Sequence, residues 1–372
     1  MDVSEPVRVW VAEALTGDVV GEVRLAGPST WESRFGGGTC TASVSLGHLV
    51  ARDRTTLDWA AIARTMGLIV GGKRTFVLTL GTLVLGEWLL MSHGEGTSDG
   101  TVEVQGVELD GYPAFRSLNI DYWGSEADQL TLARMLLWGC FVNDQTTMQL
   151  DIPTVTSGVV RKIMHRARDA YYSDVLDEIS EPDDGFDWRI IQTGTWAGGD
   201  LTKVNRAVQF GAPVLSRSTS IIVDHDGPGF RSGNCLSFTQ GYDFARSAAR
   251  VDVLGSGEGD RAPLASVENQ TLPSQGYLRT SRTLNKPSIK ELSTLQGIAR
   301  AESAQSQNLR DPATAVLLAA KTQAMPRVGD KVAVDIEPTY SLPYGREGDM
   351  RVGEVTFPLD GHQMSTVTIQ AI

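Results

Sequence analysis

The stretch Asp183–Ile190, with the sequence DDGFDWRI, marks a change in the character of the chain. Its first three residues, two acids and a glycine, are typical of a tight turn. The next five alternate between apolar and polar side chains at the period of a β-strand, which predicts that Asp187 and Arg189 form a modest ion pair on one polar face. The apolar positions predicted to face a core are Phe186, Trp188 and Ile190. The stretch therefore predicts a turn that leads out of one module into β structure.

The first third of the chain consists of short strand-like runs separated by glycine-rich turns. Thr56–Thr65 is compatible with a short helix. The most apolar window, Phe76–Met91, is too short for a membrane-spanning helix and is interrupted by glycines and Glu87, so we expect strands and no membrane span. The predicted strands are Val7–Val11, Val19–Leu25, Thr39–Leu46, Arg74–Leu80, Thr82–Leu85, Trp88–Met91 and Thr101–Leu109. Strands at this spacing favour a barrel or a sandwich.

Helical periodicity begins near residue 125. Glu126–Cys140 carries apolar residues at helical spacing. Ser157 is a candidate N-cap for a second helix over Val159–Arg168, and Asp169–Ile179 predicts a third helix that ends before Pro182. The second helix gathers basic side chains and is followed by acids, which is typical of a solvated face or a subunit contact rather than a nucleic-acid site.

Strands return after Asp183–Ile190, with one clear helix at Ile289–Ser303. Ala313–Ala320 is an apolar run that periodicity alone does not assign. Asp360–Gly361 predicts a hairpin turn between the last two strands. The predicted strands are Trp188–Thr193, Val204–Phe210, Ser218–Asp224, Arg250–Leu254, Lys331–Ile336, Met350–Phe357 and Met364–Ala371. The modules thus follow in the order β, helical, β, helical, β.

The composition is that of a globular protein with an excess of acids. The 372 residues carry a formal net charge of -12, which argues against a sequence-reading nucleic-acid binder or an anionic membrane surface as partner. The three cysteines, Cys40, Cys140 and Cys235, are far apart and form no CxxC pair, so we expect buried free thiols rather than disulfides or a zinc site. The amino terminus shows no secretory signal.

Two stretches resemble chemical motifs but fail their criteria. Val251–Gly259 leads a strand into glycines, as a dinucleotide fingerprint does, but Asp260 stands where a small residue is needed. In Asp224–Asp226 a histidine stands between two aspartates. No second group of His and Asp residues lies at metal-ligand spacing, so we interpret the stretch as part of a turn. We therefore predict no catalytic, cofactor-binding or metal-ligating residue, and no cofactor.

Four stretches together resemble the minor tail proteins of long-tailed actinobacterial phages, within the wider tail-hub (baseplate hub) family. Each motif is short, and their order and spacing carry the resemblance. The stretches are Leu15–Leu46, Asp184–Arg189, Asn234–Ser237 with Ala245–Gly255, and Arg327–Val332 with Arg351–Val355 and Val367–Ile369.

The resemblance implies a β-dominated α+β fold with two β-barrel-like tube domains and two helix-containing insertions. The implied boundaries are 1–122 for the first tube domain, 123–200 for an α/β insertion, 201–254 with 325–372 for a split second tube domain, and 255–324 for a second insertion with helix 289–303. The implied assembly is a homotrimeric ring at the tail tip of the virion, built in the host cytoplasm. Its implied neighbours are the distal tail protein and tail tube above, tip or receptor-binding proteins below, and the tape measure protein in the lumen. The last strand ends at the final residues, so we expect no lytic or receptor-binding extension.

Two other functions compete with a purely structural hub. A hub with cell-wall hydrolase activity would rely on carboxylates such as Asp183, Asp184 or Glu258. A carbohydrate-binding adhesin would use exposed tryptophans such as Trp123 and Trp196. For the hub, the acid excess suggests a channel that repels DNA phosphates, so that the genome passes without adsorbing.

Overall fold

The protein is seen in a computed structural model. It describes residues 7–46, 59–94, 100–122, 125–142, 147–225, 233–241, 244–257, 262–307, 313–322, 324–339, 342 and 344–371. Strands dominate, and they form two barrels with two insertions. The fold class predicted from the sequence is confirmed.

Barrel one is formed by the first seven strands. They are β1 (Val7–Glu13), β2 (Val19–Val23), β3 (Pro28–Arg34), β4 (Thr39–Ser45), β5 (Arg74–Leu80), β6 (Leu83–His93) and β7 (Thr101–Glu108). Neighbours pair in the order β2-β1-β5-β6-β7-β4-β3. The chain after β2 closes the barrel against β4, because Ala26 N–H donates to Ser43 O at 2.8 Å and Ser45 N–H donates to Arg24 O at 2.7 Å. Helix α1 (Trp59–Leu68) lies beside β2 and includes most of the predicted helix, whose residues 56–58 lie outside the described part.

Barrel two uses strands from the second half of the chain. They are β12 (Arg217–His225), β13 (Cys235–Thr239), β17 (Ala313–Leu318), β18 (Asp330–Ile336), β19 (Arg346–Asp360) and β20 (Thr366–Ala371). They pair in the order β12-β18-β19-β20-β17-β13. The seam between β12 and β13 is closed by a side chain, since the Asn234 amide donates to Ile222 O at 2.7 Å and accepts from Asp224 N–H at 3.0 Å. The apolar run Ala313–Ala320, which periodicity left unassigned, thus contributes a barrel strand.

The long strand β19 fuses the two barrels. Its first half pairs with β18, and its second half pairs with β20 on one side and with β3 of barrel one on the other. Buried residues of both barrels therefore form one apolar cluster, with Trp31 and Trp88 of barrel one and Phe357 and Ile369 of barrel two among its members. The predicted turn at Asp360–Gly361 is confirmed, since Asp360 and Gln363 bridge across it.

The first insertion follows barrel one. After a 3-10 turn at Leu109–Phe115 it contains β8 (Ser125–Asp128), α2 (Gln129–Phe141), β9 (Val160–Ile163) and α3 (Tyr172–Ser180). A long hairpin of β10 (Asp187–Ala197) and β11 (Asp200–Gly211) then packs on the outside of barrel one, where Leu201 and Val204 meet Trp10 and Val84. The predicted domain boundary at residues 200 and 201 falls in this hairpin, and the four domain ranges stay a prediction.

The predicted helix over Val159–Arg168 is wrong. The Ser157 hydroxyl accepts from Val159 N–H at 3.2 Å, as an N-cap does, but β9 follows and pairs with β8. The carboxylate of Asp128 explains the difference. It accepts from Ser157 N–H and Gly158 N–H at 2.8 and 2.6 Å and also caps α2 through Leu130 N–H, so the segment is fixed beside the start of α2.

The second insertion lies between β13 and β17. It contains β14 (Arg250–Leu254), β15 (Leu264–Glu268), α4 (Thr271–Ser274), β16 (Ser281–Asn285) and α5 (Leu292–Gln305). The sheet has the order β15-β14-β16, and α5 covers one face of it through Leu295 and Ile298. Of the stretch Val251–Gly259, Gly259 and the following Asp260 lie outside the described residues, and the described chain continues from residue 262 into β15.

Candidate functional site: the junction of barrels and insertions

The stretch Asp183–Ile190 contacts every major part of the subunit, and we call it the junction. Its first residue, Asp183, accepts two hydrogen bonds from the Arg300 guanidinium of α5, at 2.7 and 3.1 Å. The bonds from Arg300 hold the pKa of Asp183 below its usual value. Asp184 forms an ion pair with Arg161 of β9, and its carbonyl accepts from the Gln129 amide at 3.0 Å. The two acids therefore fix the turn to both insertions.

In the middle of the junction, the contacts change from those with the first insertion and β11 to those with barrel two. Phe186 packs edge-to-face on Phe210 of β11, with ring centroids 6.0 Å apart. The Asp187 carboxylate accepts from the Arg351 guanidinium at 2.5 Å and from Leu215 N–H at 2.7 Å. Because Arg351 lies on β19, this ion pair ties the start of β10 to the strand that fuses the barrels.

Arg189 does not form the predicted ion pair with Asp187. Its side chain is buried, with 5% of its surface exposed, and its guanidinium donates to Val328 O of barrel two at 2.5 Å. Strand alternation placed the Arg189 side chain on a polar face, but a second layer of structure covers that face. Of the three predicted core residues, Phe186 and Ile190 are buried and Trp188 is half-buried.

Two buried acids, one at the end of β7 and one in the 3-10 turn that follows it, lie near the other end of the junction. Glu108 accepts from the Ser33 hydroxyl at 2.6 Å and from Gly38 N–H at 3.0 Å, and Asp110 accepts from Ile190 N–H at 2.7 Å. Burial raises the pKa of Glu108, and burial together with the nearby Glu108 raises the pKa of Asp110 well above its usual range. The positive charge of Arg189 acts against both shifts. The carboxyl groups thus serve as acceptors for backbone at the point where β10 crosses barrel one.

A second buried contact fastens the hairpin to barrel one. Arg206 of β11 and Glu87 of β6 are fully buried and form a double ion pair, at 2.6 and 2.9 Å. Arg206 also donates to Ala14 O at 2.8 Å, and the Thr75 hydroxyl donates to Glu87 at 2.6 Å. One sequence signal points to this contact, because a lone glutamate inside the apolar window Phe76–Met91 needs a partner when it is buried.

The carboxylates of Asp183 and Asp184 are fixed in ion pairs. A general acid needs a raised pKa and access to substrate, whereas Asp183 has a lowered pKa and both Asp183 and Asp184 are held by arginines. Trp196 lies edge-to-face on Trp10 at 6.3 Å and is half-buried. The other residues named for the competing functions, Glu258 and Trp123, lie outside the described residues, as does Asp226.

Three further observations concern the described part of the chain. Cys40, Cys140 and Cys235 are buried free thiols, as predicted. Within the described ranges, no three His, Cys, Asp or Glu side chains are grouped so that they could hold a metal ion. No helix among the described residues is long and apolar enough to cross a membrane.

Comparison with solved structures gives this architecture a context. A tail protein from Neisseria meningitidis MC58 matches with a TM-score of 0.57 and 12% sequence identity, over 98% of this chain and 96% of that one. The chain has the fold of phage tail proteins. The 43 kDa tail protein of prophage MuSo2 from Shewanella oneidensis shares it, with a TM-score of 0.56 and 10% identity over 99% of this chain and 98% of that one. No family model and no curated protein sequence matches the chain.

The likeness extends over nearly the whole length of both tail proteins, so the tail-protein fold includes the barrels and both insertions. At 10 to 12% identity it is a likeness of backbone and not of residues.

Proposed function

We propose that the protein is a structural tail hub, without catalysis, that forms a homotrimeric ring at the tip of a phage tail. The observation that carries the proposal is the pair of barrels fused through β3 and β19, in a fold shared with two tail proteins. Two barrels in each subunit suit a ring in which three chains present six barrels to a sixfold tail tube.

The junction supports a structural role. Ion pairs and buried hydrogen bonds connect barrel one, barrel two and both insertions within eight residues of chain. The buried hydrogen bonds of Ile190 to Asp110 and of Arg189 to Val328 O hold the junction in one geometry against the barrels, because breaking a buried hydrogen bond is costly. A ring that joins other tail proteins needs such fixed relative positions of its parts.

The excess of acids has a role in this proposal. A net charge of -12 per chain would give the assembled ring a negative channel, which repels DNA phosphates and lets the genome pass. The proposed partners are the distal tail protein and tail tube above, tip or receptor-binding proteins below, and the tape measure protein in the lumen. The proposed host class is the actinobacteria, with assembly in the host cytoplasm and the tail tip as final location.

Native mass spectrometry of the purified protein tests the assembly. We expect a species of three chains, each of 40.2 kDa, and therefore about 121 kDa in total. Cryo-electron microscopy of the same sample should show three subunits around a channel lined by carboxylates. A monomer at all concentrations, alone and with tail-tube protein, would refute the ring, and a neutral or basic channel would refute the role of the acids.

A zymogram on host cell walls tests the absence of catalysis. We expect no clearing by the purified protein. Clearing that disappears in the Asp184→Asn variant would replace the structural role with a hydrolase.

A further inference from the structure

The two insertions are joined mainly by charged side chains. Arg300 of α5 holds Asp183 through two hydrogen bonds, and Lys286 donates to Glu181 at 2.5 Å. Lys162 of β9 lies 3.8 Å from Glu291, at the start of α5. Three ion pairs thus cross the same boundary, two at α5 and its N-cap and one at Lys286 after β16.

Apolar contact at this boundary is small. Pro182 packs on Gly297, where an added Cβ would come within 2.8 Å of the proline ring, and Asp183 N–H donates to Gly297 O at 3.3 Å. The buried cluster of the first insertion and that of the second have no residue in common. Each insertion therefore has its own core.

The solvent exposure of these ion pairs determines how strongly they hold the two insertions together. The side chains of Arg300 and Asp183 are 52% and 36% exposed, and those of Lys286 and Glu181 are 29% and 37% exposed. Ion pairs between partly solvated groups contribute little to stability and are screened by salt. Interfaces within a chain that are neither large nor hydrophobic generally permit the two units to move relative to each other.

We infer that the second insertion is a hinged unit, held against the first insertion by an ionic latch of Glu181, Asp183, Lys286 and Arg300. With the latch closed, α5 rests on the turn that begins the junction. With the latch broken, the second insertion swings away as a folded unit while the barrels stay intact. This inference does not rest on the proposed trimer, because every contact lies within one chain.

Pulsed electron paramagnetic resonance measures the swing directly. Spin labels are placed at Arg134→Cys on α2 and Gln296→Cys on α5, both exposed positions, while the native cysteines are buried. At 0.1 M salt we expect one narrow distance. At 1 M salt, where the screening length falls from about 10 to about 3 Å, we expect a second, longer distance.

Variants distinguish opening of the latch from a general loss of stability in the second insertion. Arg300→Gln should raise the ratio of open to closed molecules by up to about fivefold, the effect of losing one surface pair. Asp183→Arg should raise it further through repulsion, and adding Arg300→Asp should restore the short distance by reversing the pair. The matched control is Glu268→Gln, which breaks an exposed pair with Arg279 inside the second insertion and should leave the distance unchanged.

The outcome is decisive in either direction. A longer distance in salt and in Arg300→Gln, with rescue by the reversed pair, supports the latch. A single unchanged distance in 1 M salt and in Arg300→Gln refutes it, and so does a change of equal size in Glu268→Gln. Because Arg300 is half-exposed and outside both cores, its variant tests the inference even if Asp183→Arg fails to fold.

Discussion

The buried ion pair of Arg206 and Glu87 gives a sharp test of how the hairpin is fastened to barrel one. Replacing Arg206 by methionine removes the guanidinium and keeps most of the apolar stem. Glu87 then stays fully buried with only the Thr75 hydroxyl as a described partner. Breaking a buried pair in this way typically costs about 3–5 kcal/mol, because one charge is left uncompensated.

The structure also predicts the result of removing both charges. In the double variant Arg206→Met with Glu87→Leu no charge is buried, so we expect most of the loss to be recovered. The lost bond of Arg206 to Ala14 O limits the recovery, since an unpaired carbonyl costs about 1–3 kcal/mol if it stays dry, whereas Glu13 O still accepts from Gly17 N–H. The double variant should therefore be more stable than Arg206→Met and less stable than the parent.

Thermal unfolding and urea titration measure these differences. For 372 residues that unfold as one unit, a loss of 3–5 kcal/mol lowers Tm by about 4–6 °C. The control is Arg279→Gln, at an exposed pair, with an expected cost of at most about 1 kcal/mol. The reasoning is refuted if Arg206→Met costs no more than the control, or if the double variant loses as much as the two single losses added together.

Three further perturbations test the junction. Asp110→Asn should flatten the pH dependence of the free energy of unfolding, measured by urea titration at several pH values. Burial raises the pKa of Asp110 in the folded state, so ionisation of this group lowers the stability of the parent as pH rises from about 4 upward. An unchanged pH dependence in the variant would contradict this. Gly185→Ala should cost about 1–3 kcal/mol, because an added Cβ would lie 1.8 Å from Ser180 O and 2.7 Å from Pro182 O. Gly27→Ala, where an added Cβ meets open space and φ is not positive, is the control in thermal unfolding, and an equal loss in both variants would contradict the clash. Arg351→Gln should increase hydrogen exchange at Leu215 N–H and at the start of β10, because Asp187 loses its ion pair to β19, and unchanged protection there would show that the pair does not hold the strand.

Periodicity and turn residues predicted the elements whose structure is decided locally. α2, α3 and α5 lie close to the predicted helices because their apolar residues recur at helical spacing. Gly and Asp at the predicted hairpin near residue 360 need no distant partner to turn the chain. The helix over Val159–Arg168 failed for the opposite reason, since the carboxylate that fixes this segment belongs to Asp128, about thirty residues earlier.

Long-range pairing limited what the sequence could say about the junction. Arg189 and its acceptor Val328 O are 139 residues apart, and Asp187 and Arg351 are 164 apart. Strand alternation describes one sheet with one covered face, so it assigned both side chains to solvent. The signal that was available is chemical: a run with three carboxylates and an arginine beside large aromatics needs partners for its charges once the aromatics are buried.

The position of the junction in the chain explains why so many charges meet there. It follows α3, the last element of the first insertion's helical part, and opens β10, the strand that crosses to the barrels. A connection between modules has little apolar surface of its own, so charged side chains and backbone groups must fix its direction. The ion pairs before Gly185, those of Asp183 and Asp184, are partly solvated, so salt can loosen them. From Phe186 onward the contacts are mostly buried. The same eight residues thus make buried contacts towards the barrels and partly solvated ones towards the second insertion, which is the physical basis for the proposed latch.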